Sequence, residues 1–461
     1  MTAVQHAPGY RSRRFLNWFF MGLAYAFLYW GRYNLTVAKT SLGDLMTNTD
    51  FGLIFGAGTI VYAFSFFVNG PLTDRYGGRR LMLVSIFGSG TMNFLMGLTL
   101  SQVVGATTIP THLLTPIYAV LYSINMYFQS IGAVAIVHVN ASWFHVSERG
   151  RFGGFFGAMI SAGLFLAFDV SHRVLGFAVG AGPGGTDAKW WVFYAPALAL
   201  AVIFVVELVL LRDRPSQAGF PDIDTGVAVV DTSDGPVPVF QLFKTVFTNK
   251  VLVTVAFIGV CTGALRDGIM HWVPIYAKTP VSPLPSGGLG LGPEHYINAH
   301  WGLQLMIAGI IGPMAGGWAR DKLFQSRCGP PAGLFYGVLV LGVIAMRLSI
   351  HTPYALAGSC FFMAIAYIGS QGLLTATAAM DFGGKAKATA TGVIDGFVYI
   401  GTAVQAVCLG QITSHDWSYW PVFLFPFAVA GFLLCLRIWK ATAEREKKGV
   451  APGGAAAAAS H

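Results

Sequence analysis

Apolar runs of about twenty residues recur twelve times along the chain, each bounded by a short polar, glycine-rich or proline-rich break. They fall roughly at 15–40, 51–70, 80–101, 112–137, 152–172, 190–211, 250–277, 300–318, 332–350, 353–376, 389–413 and 419–439. A helical run of that length crosses about 30 Å of hydrocarbon, so the pattern predicts an all-α membrane protein with twelve transmembrane helices.

The connections alternate in character. Every second one is basic: DRYGGRR after span 2, SERGR after span 4, RDR and its linker after span 6, ARDKLFQSR after span 8 and GGKAK after span 10. With both tails these segments hold 21 of the 29 Lys and Arg, which predicts that this side, and both termini, are cytoplasmic. Arg11, Arg13 and Arg14 precede the first apolar run, which has no small-residue cleavage site and predicts a retained helix rather than a signal peptide. The segment 212–249 carries Pro215, Pro221, Asp222, Asp224, Asp231 and Asp234 and predicts a mobile cytoplasmic linker between six-helix bundles at 1–211 and 250–440, with a tail at 441–461. The outer loop TPVSPLPSGGLGLGPEHYIN is the other long connection; its glycines do not join a strand to a helix and predict no phosphate cradle.

Composition excludes other classes. With 54% hydrophobic and 11% charged residues, the chain is more apolar than one soluble core can accommodate. The net charge of +9 is mostly the topological signature just described, so no nucleic-acid partner is expected. Five cysteines form no CxxC or Cys/His pattern and predict core packing, not a zinc site or disulfide framework. There is no GxSxG, HExxH or Walker-type sequence, and neither an enzyme, a cofactor nor a metal is expected.

An internal repeat sharpens the picture. GPLTDRYGGRR (Gly70–Arg80) follows span 2 and GGWARDKLFQSR (Gly316–Arg327) follows span 8, each predicting charged side chains that pair with one another and with helix termini. On these residues the chain resembles the major facilitator superfamily. Its loop signature G-x-L-x-D-R-x-G-x-R-R is met by Gly70, Leu72, Asp74, Arg75, Gly77, Arg79 and Arg80. The resemblance implies two pseudo-symmetric six-helix bundles that work by alternating access.

Two arginines stand at matching depth: Arg32 is about seventeen residues into span 1 and Arg266 about sixteen into span 7, its counterpart in the second half. A charge there costs at least about 2.5–3.5 kcal/mol on insertion scales, which makes the pair a candidate anion site; two planar guanidinium forks suit a phosphate. Asp267 adjoins Arg266, but helix neighbours point about 100° apart, so the two are not expected to share a face. Asp169, Glu207 and Asp395 are candidate buried partners for the arginines, and Asp169, Asp267 and Asp395 candidate proton sites.

At the arginines the chain further resembles the organophosphate:phosphate antiporter family. Tyr25 and Tyr29 match its helix 1 pattern, and Arg266, Gly268, Ile269, Trp272, Pro274, Tyr276 and Lys278 its helix 7 motif. SERGRFGG and GGKAKATATG also resemble its cytoplasmic segments. The resemblance implies a monomeric antiporter of the inner (plasma) membrane that exchanges an organophosphate, such as glycerol-3-phosphate or a sugar phosphate, for inorganic phosphate. It implies that Arg32 and Arg266 bind the phosphate and that Tyr25 and Tyr29 line its site. Gln129 and His271 are further candidates, followed by His138, Asn140 and Gln371. Phe66 and Ile160 replace the family's usual lysine and histidine, His271 stands where aspartate is common, and Ala133, Val134 and Ala135 replace a Trp-Pro-Pro. Two alternatives stand beside this reading: a proton-coupled transporter of another solute, and a sugar-phosphate sensor that binds without transport.

Overall fold

The computed structural model describes residues 8–145, 149–182, 185, 187–223, 239–325, 327–374 and 387–440. The first half contains α1 (Tyr10–Leu42), α2 (Asn48–Tyr76), α3 (Gly78–Leu100), α4 (Leu114–Trp143), α5 (Arg149–Phe165), α6 (Ser171–Phe177) and α7 (Trp191–Leu210). After α8 (Val239–Thr248) come α9 (Lys250–Met270), α10 (Trp272–Lys278), α11 (Tyr296–Trp318), α12 (Gly329–Leu348), α13 (Pro353–Gly372), α14 (Lys387–His415) and α15 (Tyr419–Arg437). A π turn, Leu166–Val170, joins α5 to α6, and His271 joins α9 to α10. Apart from α8 these helices make twelve spans. Eleven are apolar enough to cross a membrane by composition; α1, with 33 residues or about 50 Å, has the length but carries Arg32 and Lys39.

The pairing of helices repeats between the halves. In the first half α1 packs on α5 and α7, α2 on α4, and α3 on α4 and α7. In the second, α9 packs on α14 and α15, α11 on α13, and α12 on α13 and α15. Advancing each first-half span by six gives the second-half pattern. The halves meet through α2 against α14 and α5 against α11, which the same operation interchanges.

Local chemistry sets the helix ends. Thr47 and Asp50 form a reciprocal capping box on α2, and Asn249 Oδ1 accepts from the N–H groups of Val251 and Leu252 at the start of α9. Between α2 and α3, Gly77 takes φ +84°, which favours glycine. Of this signature loop's charges, Arg79 meets a helix terminus as expected, but the carboxylate beside it comes from elsewhere. Asp213, at the start of the linker, accepts from the Arg79 N–H at 2.6 Å, and Arg79 Nη2 donates to the Leu208 carbonyl at the end of α7 at 2.7 Å. Asp74 is exposed. The carboxylate that caps α3 therefore comes from 134 residues away.

The predicted linker is also more built than expected. Trp143 Nε1 donates to the Arg212 carbonyl at 3.0 Å, Phe220 packs edge-on to Tyr10 at 5.7 Å, and Val239–Thr248 is helical. Its prolines all precede residue 239, and Phe240, Phe243 and Phe247 recur at helical spacing. Residues 224–238, the tail 441–461, Ser147 and Glu148 of SERGR, and Gly383 to Ala386 of GGKAK lie outside the described residues.

Glycines let α9 and α14 touch backbone to backbone. A Cβ on Gly263 would lie 1.9 Å from the Val398 carbonyl oxygen, and one on Gly401 2.0 Å from that of Val260. Gly263→Ala should therefore destabilise the protein by about 1–3 kcal/mol. Gly358→Ala on α13, where a Cβ meets open space, should be neutral by comparison in a thermal melt of the purified protein.

Candidate functional site

A cavity of about 710 Å³ opens between the halves at the end carrying the signature loop. Its walls include Tyr25 and Tyr29 of α1, Tyr62 and Phe66 of α2, and Asp395 and Tyr399 of α14. The rings of Tyr62 and Tyr399 meet across the seam at 4.3 Å. Beside this pair lie both arginines.

Arg32 is fully buried. The backbone that carries it is held by three side chains from two helices: Asn93 of α3 and Asn125 of α4 both donate to the Gly31 carbonyl, and Tyr122 of α4 donates to that of Arg32. Its guanidinium sits in an aromatic cage, with Cζ 4.4 Å from the Tyr62 ring centre, 4.9 Å from Tyr29 and 5.8 Å from Tyr33. Nη2 donates to Gln129 Oε1 and Nη1 to the Tyr399 hydroxyl, both at 3.3 Å, and among the described residues Nε has no hydrogen-bond partner. Among the described residues no carboxylate pairs with it. Ring faces and neutral oxygens therefore stabilise the cation where a counter-charge is absent.

Arg266 is held differently, and here the expectation about Asp267 fails. Arg266 Nε and Nη2 donate to Asp267 Oδ1 and Oδ2 at 3.0 and 2.8 Å, a bidentate pair between adjacent residues. The Cβ directions diverge, but the long arginine side chain folds back over its neighbour. Thr402 Oγ1 donates to the same carboxylate at 2.5 Å. Pairing does not seal Arg266 off. Its side chain keeps 10% exposure, Nη1 donates to Gln371 on the cavity wall at 3.1 Å, and Cζ lies 5.4 Å from the Tyr399 ring centre. Tyr399 thus touches both guanidiniums, by its hydroxyl on one side and its ring face on the other. Arg32, Arg266 and Asp267 together carry a net charge of +1.

The opposite end is shut. Phe51 packs edge-on to Trp272 at 5.6 Å, Asn48 donates to Thr413 at 3.1 Å, and Lys278 Nζ lies 3.0 Å from His172 Nδ1. His271 belongs to this closure and not to the cavity wall: it is fully buried, its Nδ1 is 2.6 Å from Thr36 Oγ1 of α1, and the Phe55 ring lies tilted against it with centroids 4.4 Å apart. Its Nε2 lies 3.8 Å from Asp267 Oδ1.

Among the described residues Asp169 pairs with neither arginine. It sits on the π turn between α5 and α6, and its carboxylate accepts from the N–H groups of Gly302 and Leu303 at 2.6 and 3.0 Å. Those donors are free because His300, at φ −134° and ψ 18°, interrupts α11. One half therefore caps a broken helix of the other. Glu207, another candidate partner, is buried, and among the described residues its oxygens accept no hydrogen bond.

Of the residues expected at the site, Arg32, Arg266, Tyr25, Tyr29 and Gln129 come together, and Asp395 lies on the cavity wall. Asn140 and Gln371 also line it. The sequence reading missed Tyr33, Tyr62, Tyr399 and Thr402. Tyr33 continues the four-residue spacing of Tyr25 and Tyr29; the other three carried no signal beyond a polar tip in an apolar span.

Two six-helix halves with paired charge at the seam, open at one end and shut at the other, define a membrane transporter fold rather than an enzyme. The model of the Major Facilitator Superfamily matches residues 21–406, and the chain belongs to that superfamily. Among its relatives are the glycerol-3-phosphate transporter of Bacillus subtilis, 26% identical over 90% of each chain, and the membrane sensor protein UhpC of Salmonella typhimurium, 25% identical over 92% of this chain and 91% of that one. The structure of a bacterial homolog of the human lysosomal transporter Spinster matches with a TM-score of 0.71 over 94% of this chain and 98% of that one; at 13% identity this likeness shows the fold alone.

Two predictions follow from the geometry. Asp267→Asn leaves Arg266 buried without its counter-charge and should cost about 3–5 kcal/mol of stability, read as a lowered melting temperature of the purified protein. Asp169→Ala removes two charge-assisted hydrogen bonds and should open the shut end. In a background with the five native cysteines replaced, a cysteine in place of buried Ala38 should then react at least about ten-fold faster with a water-soluble thiol reagent.

Proposed function

We propose that the protein is a secondary transporter that exchanges an organic phosphate for inorganic phosphate by alternating access. The carrying observation is that guanidiniums from opposite halves meet at one residue, Tyr399, beside the cavity. The glycerol-3-phosphate transporter among its relatives supports the same reading. The distribution of Lys and Arg supports a cytoplasmic location for the signature loops and both termini, in the plasma membrane, so the cavity described here opens inward. The bundles 1–211 and 250–440 move as bodies about the linker 212–249, and a monomer suffices for the cycle.

Closing the cavity over a net positive charge is unfavourable because the guanidiniums lose what water reaches them. A phosphate that takes the Nη1 side of Arg266 in place of Gln371, and bridges to Arg32, supplies the missing counter-charge and joins the halves. Tyr25 and Tyr29 donate hydroxyls to it, and Gln129 keeps Arg32 oriented. Switching only when loaded makes the process an exchange.

Counterflow in proteoliposomes preloaded with inorganic phosphate tests this. Arg32→Lys and Arg266→Lys keep the charge but lose the planar fork, and each should reduce exchange at least about ten-fold. Unchanged rates would remove the arginines from the site. The kinship with a membrane sensor protein favours a second reading, in which the chain binds a sugar phosphate without moving it; binding without counterflow is its outcome. Flux driven by a pH gradient without counter-phosphate would instead point to proton coupling, with Asp395 on the cavity wall the first residue to replace.

A further inference from the structure

The cavity is chemically lopsided. At its closed end stand the tyrosines, Gln371 and the arginines behind them. The wall that the first half contributes below them is apolar: Phe66 of α2, Ala133, Val134 and Val137 of α4, and Ile160 of α5. Asn140 is the polar side chain of α4 on this wall, and Thr391 and Asp395 belong to the opposite half. A head group anchored at the arginines therefore points the rest of its molecule along a hydrocarbon surface.

That surface discriminates between organic parts. A polyol carries a hydroxyl on nearly every carbon, and each loses its water as the halves close; against Phe66, Val134 and Ile160 it finds no replacement. An aryl or alkyl group has no such demand and gains by leaving water. A volume of about 710 Å³ accommodates a six-carbon ring with its phosphate, within the ordinary range for small-molecule sites.

We infer that the organic phosphate taken by this cavity is an apolar monoester, an aryl or alkyl phosphate, and not a sugar or glycerol phosphate. This rests on the phosphate reading of the arginine site and specifies what is attached to the phosphate.

The test is a ligand-stabilisation series on the purified full-length protein with inorganic phosphate, phenyl phosphate, butyl phosphate, glycerol-3-phosphate and glucose-6-phosphate, and with benzoate as a phosphate-free aryl anion. Phenyl and butyl phosphate should raise the melting temperature at concentrations at least about ten-fold lower than the two polyol phosphates. Phe66→Lys, and the milder Ala133→Ser should that variant fail to fold, place a polar group on the wall and should narrow the gap. Polyol phosphates that bind as well as phenyl phosphate would overturn the inference and leave the phosphate site standing. Benzoate binding as tightly as phenyl phosphate, or no stabilisation by any phosphate compound, would overturn the phosphate reading and the inference with it.

Discussion

A guanidinium buried at the middle of the bundle, with no carboxylate among the described residues paired to it, is the constraint around which the rest of the site is arranged. Left among aliphatic side chains, the charge of Arg32 would be prohibitively costly. Instead three tyrosine faces and two neutral oxygens surround it, and side chains from α3 and α4 hold the backbone of α1 in place. This environment tolerates the charge without cancelling it. A carboxylate in place of Gln129 would be a stronger partner and would leave nothing for an anion to neutralise.

Arg266 shows the other solution, and the difference links the cavity to the shut end. Its partner Asp267 also receives Thr402 and faces His271, which in turn meets Thr36 on α1, one turn beyond Arg32. The carboxylate thus stands between the cavity and a contact that joins the halves. Under the proposed exchange, an anion competing for Arg266 weakens its hold on Asp267. The carboxylate then draws more strongly on His271, on the side where the closure must later come apart. The path is short: Arg266 to Asp267 and His271 to Thr36 are hydrogen-bond contacts, and the step between them spans 3.8 Å.

The architecture was legible in the sequence because hydrophobic runs of fixed length and alternating basic loops are one-dimensional signals. The depth of Arg32 and Arg266 could be counted along their helices, and the tyrosine spacing on α1 could be read as a face. What escaped depended on side-chain reach or on distant partners. Helix geometry separates the Cβ atoms of Arg266 and Asp267 but does not limit where a long side chain ends. His271 lies five residues past Arg266, yet the break between α9 and α10 turns it into the closure. Asp169 looked like a buried charge awaiting a cation; its partners are two backbone N–H groups released by His300, which no composition signal marks. Tyr62 and Tyr399 come from spans 2 and 11, whose meeting is a property of the assembled halves.

That meeting explains why the proposed anion site lies where it does. Toward the shut end α2 and α14 cross tightly: a Cβ on Gly52 would lie 2.4 Å from the Ala406 carbonyl oxygen, and one on Gly410 2.9 Å from that of Asn48. Toward the signature loop the same two helices diverge, and Phe66 and Gly70 face Thr391 and Asp395 across the cavity. Between these regions stand Tyr62 of α2 and Tyr399 of α14, in ring contact. A rocking motion that opens one end and closes the other needs a point that changes little, and the tyrosine pair lies where contact gives way to separation. Both tyrosines also touch Arg32, Tyr62 by its ring face and Tyr399 by its hydroxyl, and the Tyr399 ring faces Arg266. A charge neutralised at that point acts on both halves at once, whereas the same charge near either mouth would stabilise a single closed end.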